Sequence, residues 1–392
     1  MIHKYKMHGT NLVLDVNSGA VHVFDGVSYD VLDYYKKYDT GHILDMLGEK
    51  YDRIDILESV EEIKELEEMG QLFSKDDYSS HIPRWNSRST LKALCLHVSH
   101  DCNMRCGYCF ASTGDFGMGR KVMSPEIGKS AIDFLIRESG KRWNLEVDFF
   151  GGEPLLNFET VEQVVLYGRS REKEFNKNFR FTLTTNALSL NERHKKFINE
   201  HMSNVVLSID GRKSVNDRLR KRVDGTGTYE HIMPKIKDMA ESRNNENYYV
   251  RGTFTRENKD FSKDVIHLAD EGFKQVSVEP VVAAGGTGFD IRREDLPEIL
   301  REYELLAHEY VSRKKKGKGF NFFHFMIDLD QGPCIAKRLT GCGSGHEYLA
   351  VTPDGELYPC HQFVGMDEFK MGNVVQGIEK TEIADYFKES NV

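Results

Sequence analysis

The alternation of apolar segments with amphipathic stretches of helical period after residue 91 constrains the fold more than any other feature. Ser124 is an N-cap candidate for the first helical stretch, and Pro125 falls in its first turn. A succession of strand–helix units implies parallel strands with right-handed crossovers. Six strands are predicted, near 91–98, 145–150, 179–185, 204–209, 248–255 and 273–281.

Polar and glycine-rich segments occur where most of these strands end. Chemistry at so many strand ends requires the ends to converge, as they do in a barrel, whereas a doubly wound sheet gathers ligands only at its switch point. We therefore predict an α/β fold whose residues 91–316 form a partial (β/α)6 TIM-like barrel. The strand-end segments are CNMRCGYC (102–109), GGEP (151–154), TTN (184–186), SIDG (208–211) and Glu279.

Two further regions flank the predicted barrel. Residues 1–80 contain alternating strands around an Asn17-Ser18-Gly19 turn and then three helical patterns, which predicts a winged-helix-like domain. Residues 81–90 are the predicted linker. Residues 317–392 lose the strand–helix period and carry Cys334, Cys342 and Cys360, which predicts a small cysteine-bearing third region.

Composition excludes several classes of function. The formal charge of −9 argues against a nucleic-acid surface, which normally shows a basic excess. No apolar stretch approaches the ~20 residues needed to span a bilayer, and the N-terminus lacks the apolar core of a signal peptide. The sequence therefore predicts a cytoplasmic protein without nucleic-acid or membrane partners. In that reducing compartment the seven cysteines indicate metal or catalytic chemistry before disulfides.

Cys102, Cys106 and Cys109 are close enough in sequence for one tight loop to aim all three sulfurs inward. A structural zinc site requires four ligands. A 4Fe–4S cube held by three thiolates leaves one iron open to a cofactor or substrate. The spacing alone leaves both interpretations open. Cys95, inside an apolar strand, is predicted to be a buried core thiol.

CNMRCGYC, with Tyr108 before its last cysteine, resembles the CxxxCxxC signature of radical S-adenosylmethionine (SAM) enzymes, and GGEP, TTN and SIDG strengthen the resemblance. The resemblance implies a 4Fe–4S cluster whose open iron is chelated by S-adenosylmethionine. Reductive cleavage of this cofactor in the family gives a 5′-deoxyadenosyl radical, which removes a hydrogen atom from the substrate. Cys102, Cys106 and Cys109 would then be the cluster ligands.

The same resemblance implies roles around the cofactor. Gly151 and Gly152 would let the strand-end backbone approach it, with Pro154 closing the GGEP motif. Glu153 would hold its ammonium group. Tyr108 would lie beside the adenine, and Arg220, in competition with Arg218 and Arg222, would pair with the carboxylate. The residues implied to line the ribose and methionine portions are Thr185, Asn186, Ser208 and Asp210.

Cys342, Gly355 and Cys360 form a C-x12-G-x4-C pattern similar to the start of the SPASM extension, which carries auxiliary iron–sulfur clusters, and Cys334 could add a thiolate. The later cysteines of that pattern are absent. We therefore expect either a truncated SPASM/twitch region or a protein with at most one three-cysteine auxiliary cluster. Zinc remains the competing interpretation, with His346 or His361 as a further ligand.

This domain order resembles that of the maturases of ribosomally made peptides. The C-terminal sequence most resembles the maturases of six-cysteine (SCIFF) peptides. The resemblance implies thioether bonds between cysteine sulfur and carbon, a cysteine-rich precursor bound through its leader, a flavodoxin or ferredoxin reductant, and an anaerobic bacterial source. The first alternative is a sulfatase-type maturase that makes formylglycine. The second alternative is a non-catalytic iron–sulfur protein that binds peptides or has a regulatory role.

Overall fold

The computed structural model describes residues 1–7, 9–78, 90–327 and 341–389. The described chain divides into two compact units, one containing the N-terminal residues to 78 and the other containing residues 90–326 and 341–389. The predicted linker, apart from Thr90, lies outside the described residues, as does Cys334.

The N-terminal unit pairs a small antiparallel sheet with three short helices. The strands are β1 (Ile2–Met7), β2 (Thr10–Asp15) and β3 (Val21–Phe24), in the order β1-β2-β3. The hairpin expected around Gly19 is present, and β1 is a strand that the sequence did not predict. The helices are α1 (Gly26–Val31), α2 (Thr40–Leu47) and α3 (Arg53–Glu68).

Helix capping and apolar packing stabilise the fold of this unit. The side chains of Asp25 and Asp39 accept hydrogen bonds from the first turns of α1 and α2. Val13 of β2 is buried with Val31 and Ile56 in one apolar cluster. The unit therefore has a core of its own.

The second unit is built on one sheet of eleven strands, with a separate two-stranded ribbon. In chain order its strands are β4 (Ala93–Ser99), β5 (Met104–Cys106), β6 (Asn144–Gly151), β7 (Asn178–Thr185), β8 (Asn204–Ser208), β9 (Arg220–Arg222), β10 (Tyr248–Phe254), β11 (Gln275–Pro280), β12 (Asn321–Phe322), β13 (Tyr348–Val351), β14 (Glu356–Tyr358), β15 (Gly372–Asn373) and β16 (Gly377–Ile378). Its helices are α4 (Pro125–Glu138), α5 (Phe158–Phe175), α6 (Glu192–His201), α7 (Lys213–Leu219), α8 (Tyr229–Ser242), α9 (Phe261–Asp270), α10 (Leu296–Lys315) and α11 (Thr381–Glu389).

The sheet confirms the predicted partial barrel. Six parallel strands lie side by side in chain order, β4-β6-β7-β8-β10-β11, and each lies within two residues of its predicted ends. Within the described residues the edge strands β12 and β16 do not pair with each other, so the barrel is partial. The carboxyl ends of the parallel strands therefore share one rim.

The C-terminal segment extends this same sheet. β13 runs parallel to β4, and β14, β15 and β16 continue the sheet in antiparallel pairs. Leu94 and Leu96 of β4 belong to the main core, while Cys95 on the opposite face is buried with Ala350 and Tyr358 of the C-terminal segment. The core role expected for Cys95 is confirmed.

Gly128 of α4 marks a close helix–helix contact. A Cβ there would lie 2.3 Å from Cγ2 of the buried Val164 on α5. We expect Gly128→Ala to lower the thermal midpoint by about 2–4 °C, because overpacking of about 2 kcal/mol outweighs the helix-propensity gain of about 1 kcal/mol. Circular dichroism at the helix band measures this shift.

The matched control is Gly285→Ala, because a Cβ at Gly285 would meet no atom within 4 Å. An unchanged or higher midpoint for Gly128→Ala would show that α4 and α5 separate without cost.

Candidate active site

One cavity of about 220 Å³ opens among the carboxyl ends of the barrel strands. Most of the residues that the sequence singled out line it: Cys102, Cys106, Tyr108, Cys109, Gly151, Gly152, Glu153, Thr185, Asn186, Ser208 and Arg220. Pro154 begins a short 3-10 segment, Pro154–Asn157, and is not among the lining residues. Asp210 is fully buried behind the wall.

A two-stranded ribbon holds the cysteine loop. β5 pairs antiparallel with β9, and Cys106 is opposite Arg220. The N–H of Gly107 donates to the carbonyl of Leu219 at 2.8 Å. This ribbon, which the sequence did not predict, brings Arg220 beside the cysteines.

Two of the three loop thiols, Cys102 and Cys106, have raised pKa values. The N–H of Met104 donates to Cys102 Sγ at 3.4 Å, and the Asn186 side-chain amide donates to the same sulfur at 3.6 Å. Burial raises the pKa of Cys102 to about 12 and the pKa of Cys106 to about 11. Such thiols need a bound cation to become thiolates, since metal binding displaces the proton.

Glycines at the end of β6 let the cysteine loop pack against that strand. A Cβ at Gly151, whose φ is +122°, would lie 2.3 Å from Ser99 O. A Cβ at Gly152 would lie 2.2 Å from Asp101 O. The sequence explained these glycines by close approach to a cofactor, but the atoms that exclude a side chain belong to the protein backbone.

Glu153 connects the ends of β6 and β7. It is 1% exposed, and its Oε1 accepts from Thr185 Oγ1 at 2.7 Å and from Leu155 N at 3.0 Å. Its Oε2 accepts from Asn186 N at 2.8 Å. Burial raises the pKa of this carboxyl, and the hydrogen bonds oppose that rise. Three of its lone-pair positions are used, which leaves one for a further donor.

Tyr108, Asp210 and Arg220 form a buried polar cluster. The Tyr108 hydroxyl donates to Asp210 Oδ2 at 2.8 Å and accepts from Arg220 Nη1 at 2.9 Å. Arg220 and Asp210 are 3.8 Å apart, and Arg220 Nε is buried without a partner. Burial raises the pKa of Asp210.

The three candidate arginines differ in burial and in position relative to the cavity. Arg220 is 7% exposed and lines the cavity. Arg218 donates to the carbonyl of Glu257 at 2.8 Å, and Arg222 pairs with Asp224 at 3.5 Å. Neither Arg218 nor Arg222 is among the lining residues.

Of the two described C-terminal cysteines, Cys360 directly precedes two residues of the cavity wall. Cys342 is exposed and Cys360 is half-buried. Burial raises the pKa of Cys360, and a hydrogen bond from Gln362 N opposes that rise. His361 and Gln362, which follow Cys360, line the cavity. His346 instead contacts the carbonyl of Ser344 at 3.1 Å.

Arg251 and Thr253, which alternate along β10, line the cavity and were not singled out by the sequence. His361, which the sequence offered as a possible zinc ligand, packs against Phe110 and Phe150 with ring centroids 5.6 and 5.3 Å apart. Burial lowers the pKa of His361 to about 4. Polar residues two apart in an otherwise apolar strand were the available signal for Arg251 and Thr253.

The residues fit a three-thiolate cluster with a bound cofactor. Across the described ranges no three His, Cys, Asp or Glu side chains converge on a point that could hold a single metal ion. A 4Fe–4S cube is held through different iron atoms, so its ligands need not converge in that way. Arg220 lines the cavity, and its buried Nε has no hydrogen-bond partner, so this guanidinium keeps an unused donor of the kind that suits an anionic group.

Residues 96–269 match the model of the radical SAM superfamily. The chain therefore carries a radical SAM domain, and enzymes of this superfamily use a 4Fe–4S cluster and S-adenosylmethionine.

Among the described residues, none of the helices combines the length and the apolar character that a membrane span requires.

Three curated relatives extend this result. The chain is 36% identical over 135 residues to the uncharacterized protein MJ0907 of Methanocaldococcus jannaschii, covering 34% of this chain and 44% of that protein. It is 26% identical over 273 residues to the radical SAM cyclopropyl synthase TigE of Paramaledivibacter caminithermalis, covering 64% of this chain and 55% of that protein. It is 25% identical over 309 residues to the cysteine-type anaerobic sulfatase-maturating enzyme of Clostridium novyi, covering 73% of this chain and 77% of that protein. The chain thus spans about half of the length of the first two.

Solved structures share the fold. The anSMEcpe enzyme with bound AdoMet and Kp18Cys peptide matches with a TM-score of 0.64 and 21% identity, covering 76% of this chain and 82% of that chain. Streptococcus suis SuiB bound to its precursor peptide SuiA matches with a TM-score of 0.55 and 15% identity, covering 99% of this chain and 87% of that chain. At these identities the two solved structures show a shared fold, and the radical SAM domain is shown by the match of residues 96–269.

Gly152 offers a test of the cysteine loop. We expect Gly152→Ala to lower the iron and sulfide bound per chain after anaerobic reconstitution, because the added Cβ would push Asp101 and the cysteine loop away from β6. Gly285→Ala is the control, since its Cβ would meet nothing within 4 Å. Equal iron content in both variants would contradict this role for the glycine.

Proposed function

We propose that this protein forms thioether bonds between cysteine sulfur and carbon in a ribosomally made, cysteine-rich precursor peptide. The observation that carries this proposal is the shared cavity: the cysteine loop forms one wall, and His361 and Gln362, next to Cys360, contribute to another. A thiol bound near Cys360 would lie close to the cofactor. The proposed net change joins sulfur to carbon with loss of two hydrogen atoms.

The bound cluster and S-adenosylmethionine would supply the one-electron chemistry that removes a hydrogen atom from a carbon of the substrate. Cys102, Cys106 and Cys109 would hold the cluster. The free lone pair of Glu153 would accept from the cofactor ammonium group, and the spare Arg220 Nε–H would donate to its carboxylate.

The remaining cofactor contacts follow from the same cavity. Tyr108 would present its ring, because its hydroxyl is already held by Asp210 and Arg220. Thr185, Asn186 and Ser208 would line the ribose and methionine portions. Asp210 would act through Tyr108 and Arg220 instead of touching the cofactor, and Gly151, Gly152 and Pro154 would shape the strand end.

An auxiliary cluster is part of the proposal. Its candidate ligands are Cys342, Cys360 and Cys334, the last of which lies outside the described residues. A flavodoxin or ferredoxin is the proposed reductant.

Residues 1–80 are the proposed site for the precursor leader. β3 is an edge strand of the N-terminal sheet, and Val23 on it is 71% exposed. An extended peptide can add to such an edge through main-chain hydrogen bonds, while side-chain contacts supply selectivity. The leader would therefore become a fourth strand beside β3.

Formylglycine formation in a sulfatase is the second candidate. The observation that favours it is the similarity to the Clostridium novyi enzyme, which covers 73% of this chain. Both candidates oxidise a thiol-bearing peptide, so the peptide product separates them.

The deciding experiment uses the reconstituted protein with S-adenosylmethionine and a strong reductant. We expect a leader-bearing cysteine-rich peptide to lose the mass of two hydrogens per link and to lose thiols that alkylation detects. Cys102→Ala should give no product, because the loop then lacks one ligand. An aldehyde on a sulfatase peptide, with the cysteine-rich peptide unchanged, would contradict thioether formation.

Val23 tests the leader site. We expect Val23→Asp to weaken leader binding by about tenfold, because a charge replaces an apolar contact worth about 1.5 kcal/mol. Fluorescence anisotropy of a labelled leader measures this change. Ile54→Asp on α3 is the control, since Ile54 is 68% exposed in the same unit. Equal affinity of Val23→Asp and the wild type would remove β3 from the proposed site.

A further inference from the structure

The two-stranded ribbon that holds the cysteine loop carries two basic side chains directly opposite each other. In the register of β5 and β9, Arg105 is paired with Lys221. Lys221 is exposed and Arg105 is half-buried, and neither forms an ion pair with a residue that the structure describes. Like charges directly opposite each other destabilise a strand pair. The ribbon therefore keeps a repulsion, and we call these two residues the basic pair.

The neighbouring arginines each have a counter-charge. Arg218, which precedes β9, is 3.5 Å from Glu257, and Arg222, at the end of β9, is 3.5 Å from Asp224. Arg220 belongs to the buried polar cluster described above. The chain as a whole has a formal charge of −9. An unbalanced positive pair on the surface of such a chain suits an acidic partner.

The basic pair points away from the cavity. Successive side chains of a strand point to opposite faces. Met104, Cys106 and Arg220 line the cavity. Arg105 and Lys221 alternate with them along the same two strands and are not among the lining residues. A partner bound to the basic pair would therefore lie behind the ribbon, outside the cavity.

This outer face is nevertheless close to the loop thiols. Arg105 directly precedes Cys106, and its Nη1 donates to the carbonyl of Cys102 at 2.6 Å and to the carbonyl of Met104 at 2.7 Å. Gly107, which follows Cys106, is exposed and has no side chain. One layer of backbone thus separates this face from Cys106 Sγ. Of the reactants that a radical SAM site uses, an electron can cross such a layer, whereas a peptide or S-adenosylmethionine cannot.

We propose that the basic pair is the docking surface for an acidic one-electron carrier, a flavodoxin. In the proposed step one electron leaves the carrier, which is oxidised, and reduces the cluster held by Cys102, Cys106 and Cys109. No bond of the polypeptide forms or breaks. The acidic side chains of the carrier supply the counter-charge that the ribbon lacks, so binding ends the cross-strand repulsion.

An apolar side chain beside the charges favours a flavin carrier. Val223, two residues after Lys221, is 62% exposed. A flavodoxin presents the apolar edge of its flavin among acidic side chains, and interfaces commonly place an apolar centre within a polar rim. The inference rests on the proposed function for its reductant alone, and no part of it depends on the peptide product.

The test is Lys221→Glu in the reconstituted full chain, with purified flavodoxin as the probe. We expect the dissociation constant to rise about tenfold, because a repulsive charge replaces an attractive one at the contact. The thermal midpoint should stay the same or rise, since the substitution places an acid opposite Arg105. Titration calorimetry and circular dichroism measure the two quantities. A purely structural role for Lys221 would lower the midpoint instead.

Lys274→Glu is the matched control. Lys274 is exposed, directly precedes β11 at the amino end of the barrel, and its substitution changes the net charge by the same amount. This variant should keep the wild-type affinity. Added salt should weaken flavodoxin binding to the wild type more than binding to Lys221→Glu, because screening acts on the attraction that the variant has lost.

The formation of 5′-deoxyadenosine gives a second measurement without peptide. With reduced flavodoxin as the reductant, Lys221→Glu should need about tenfold more flavodoxin for the half-maximal rate, at an unchanged maximal rate. With dithionite, which needs no docking surface, the variant should match the wild type. An equal loss with both reductants would show that Lys221 supports the cysteine loop and does not bind the carrier.

The other outcomes are also distinct. Equal flavodoxin affinity of Lys221→Glu and Lys274→Glu would remove the basic pair from the docking surface. Binding of a ferredoxin or of the leader peptide that depends on Lys221, with unchanged flavodoxin affinity, would overturn the choice of partner. Peptide that stays unmodified, while flavodoxin-driven 5′-deoxyadenosine formation still depends on Lys221, would overturn the proposed function and support this inference.

Discussion

The backbone contact between the end of β6 and the cysteine loop is the constraint on which the site depends. Gly152 N donates to Ser99 O at 2.7 Å, and Glu153 N donates to Asp101 O at 2.9 Å. These bonds form only because residues 151 and 152 lack a Cβ. They continue the β4–β6 pairing past the strand ends and hold the cysteines at the rim. The loop geometry is thus an extension of the sheet.

A buried polar cluster then joins the loop to the far strands. Asp210 after β8, Arg220 on β9 and Tyr108 in the loop share hydrogen bonds, although both charged residues are at most 7% exposed. Desolvation costs several kcal/mol per ion, so such a pair is a weak source of stability. Its unpartnered Nε is better explained by a ligand that completes it.

Most of the barrel could be predicted from the chain, because strand alternation and helix capping are local signals. Ser124 caps α4 as expected, with its side chain accepting from Ile127 N. The β5–β9 ribbon could not be predicted, since three-residue strands have no measurable period. Arg251 and Glu279 were not assigned a role either, because only the curvature of the sheet turns their face toward the cysteines.

By itself the sequence determined the strand order, the three-thiol loop and the set of polar strand ends, because each depends on residue type and short spacing. Only the tertiary structure selected Arg220 from its neighbours, tied Glu153 to Thr185 and Asn186, and aligned Glu279 with His324 and Tyr303. Those relations join residues far apart in the chain. Their distances are set by how strands and helices pack, which no local pattern encodes.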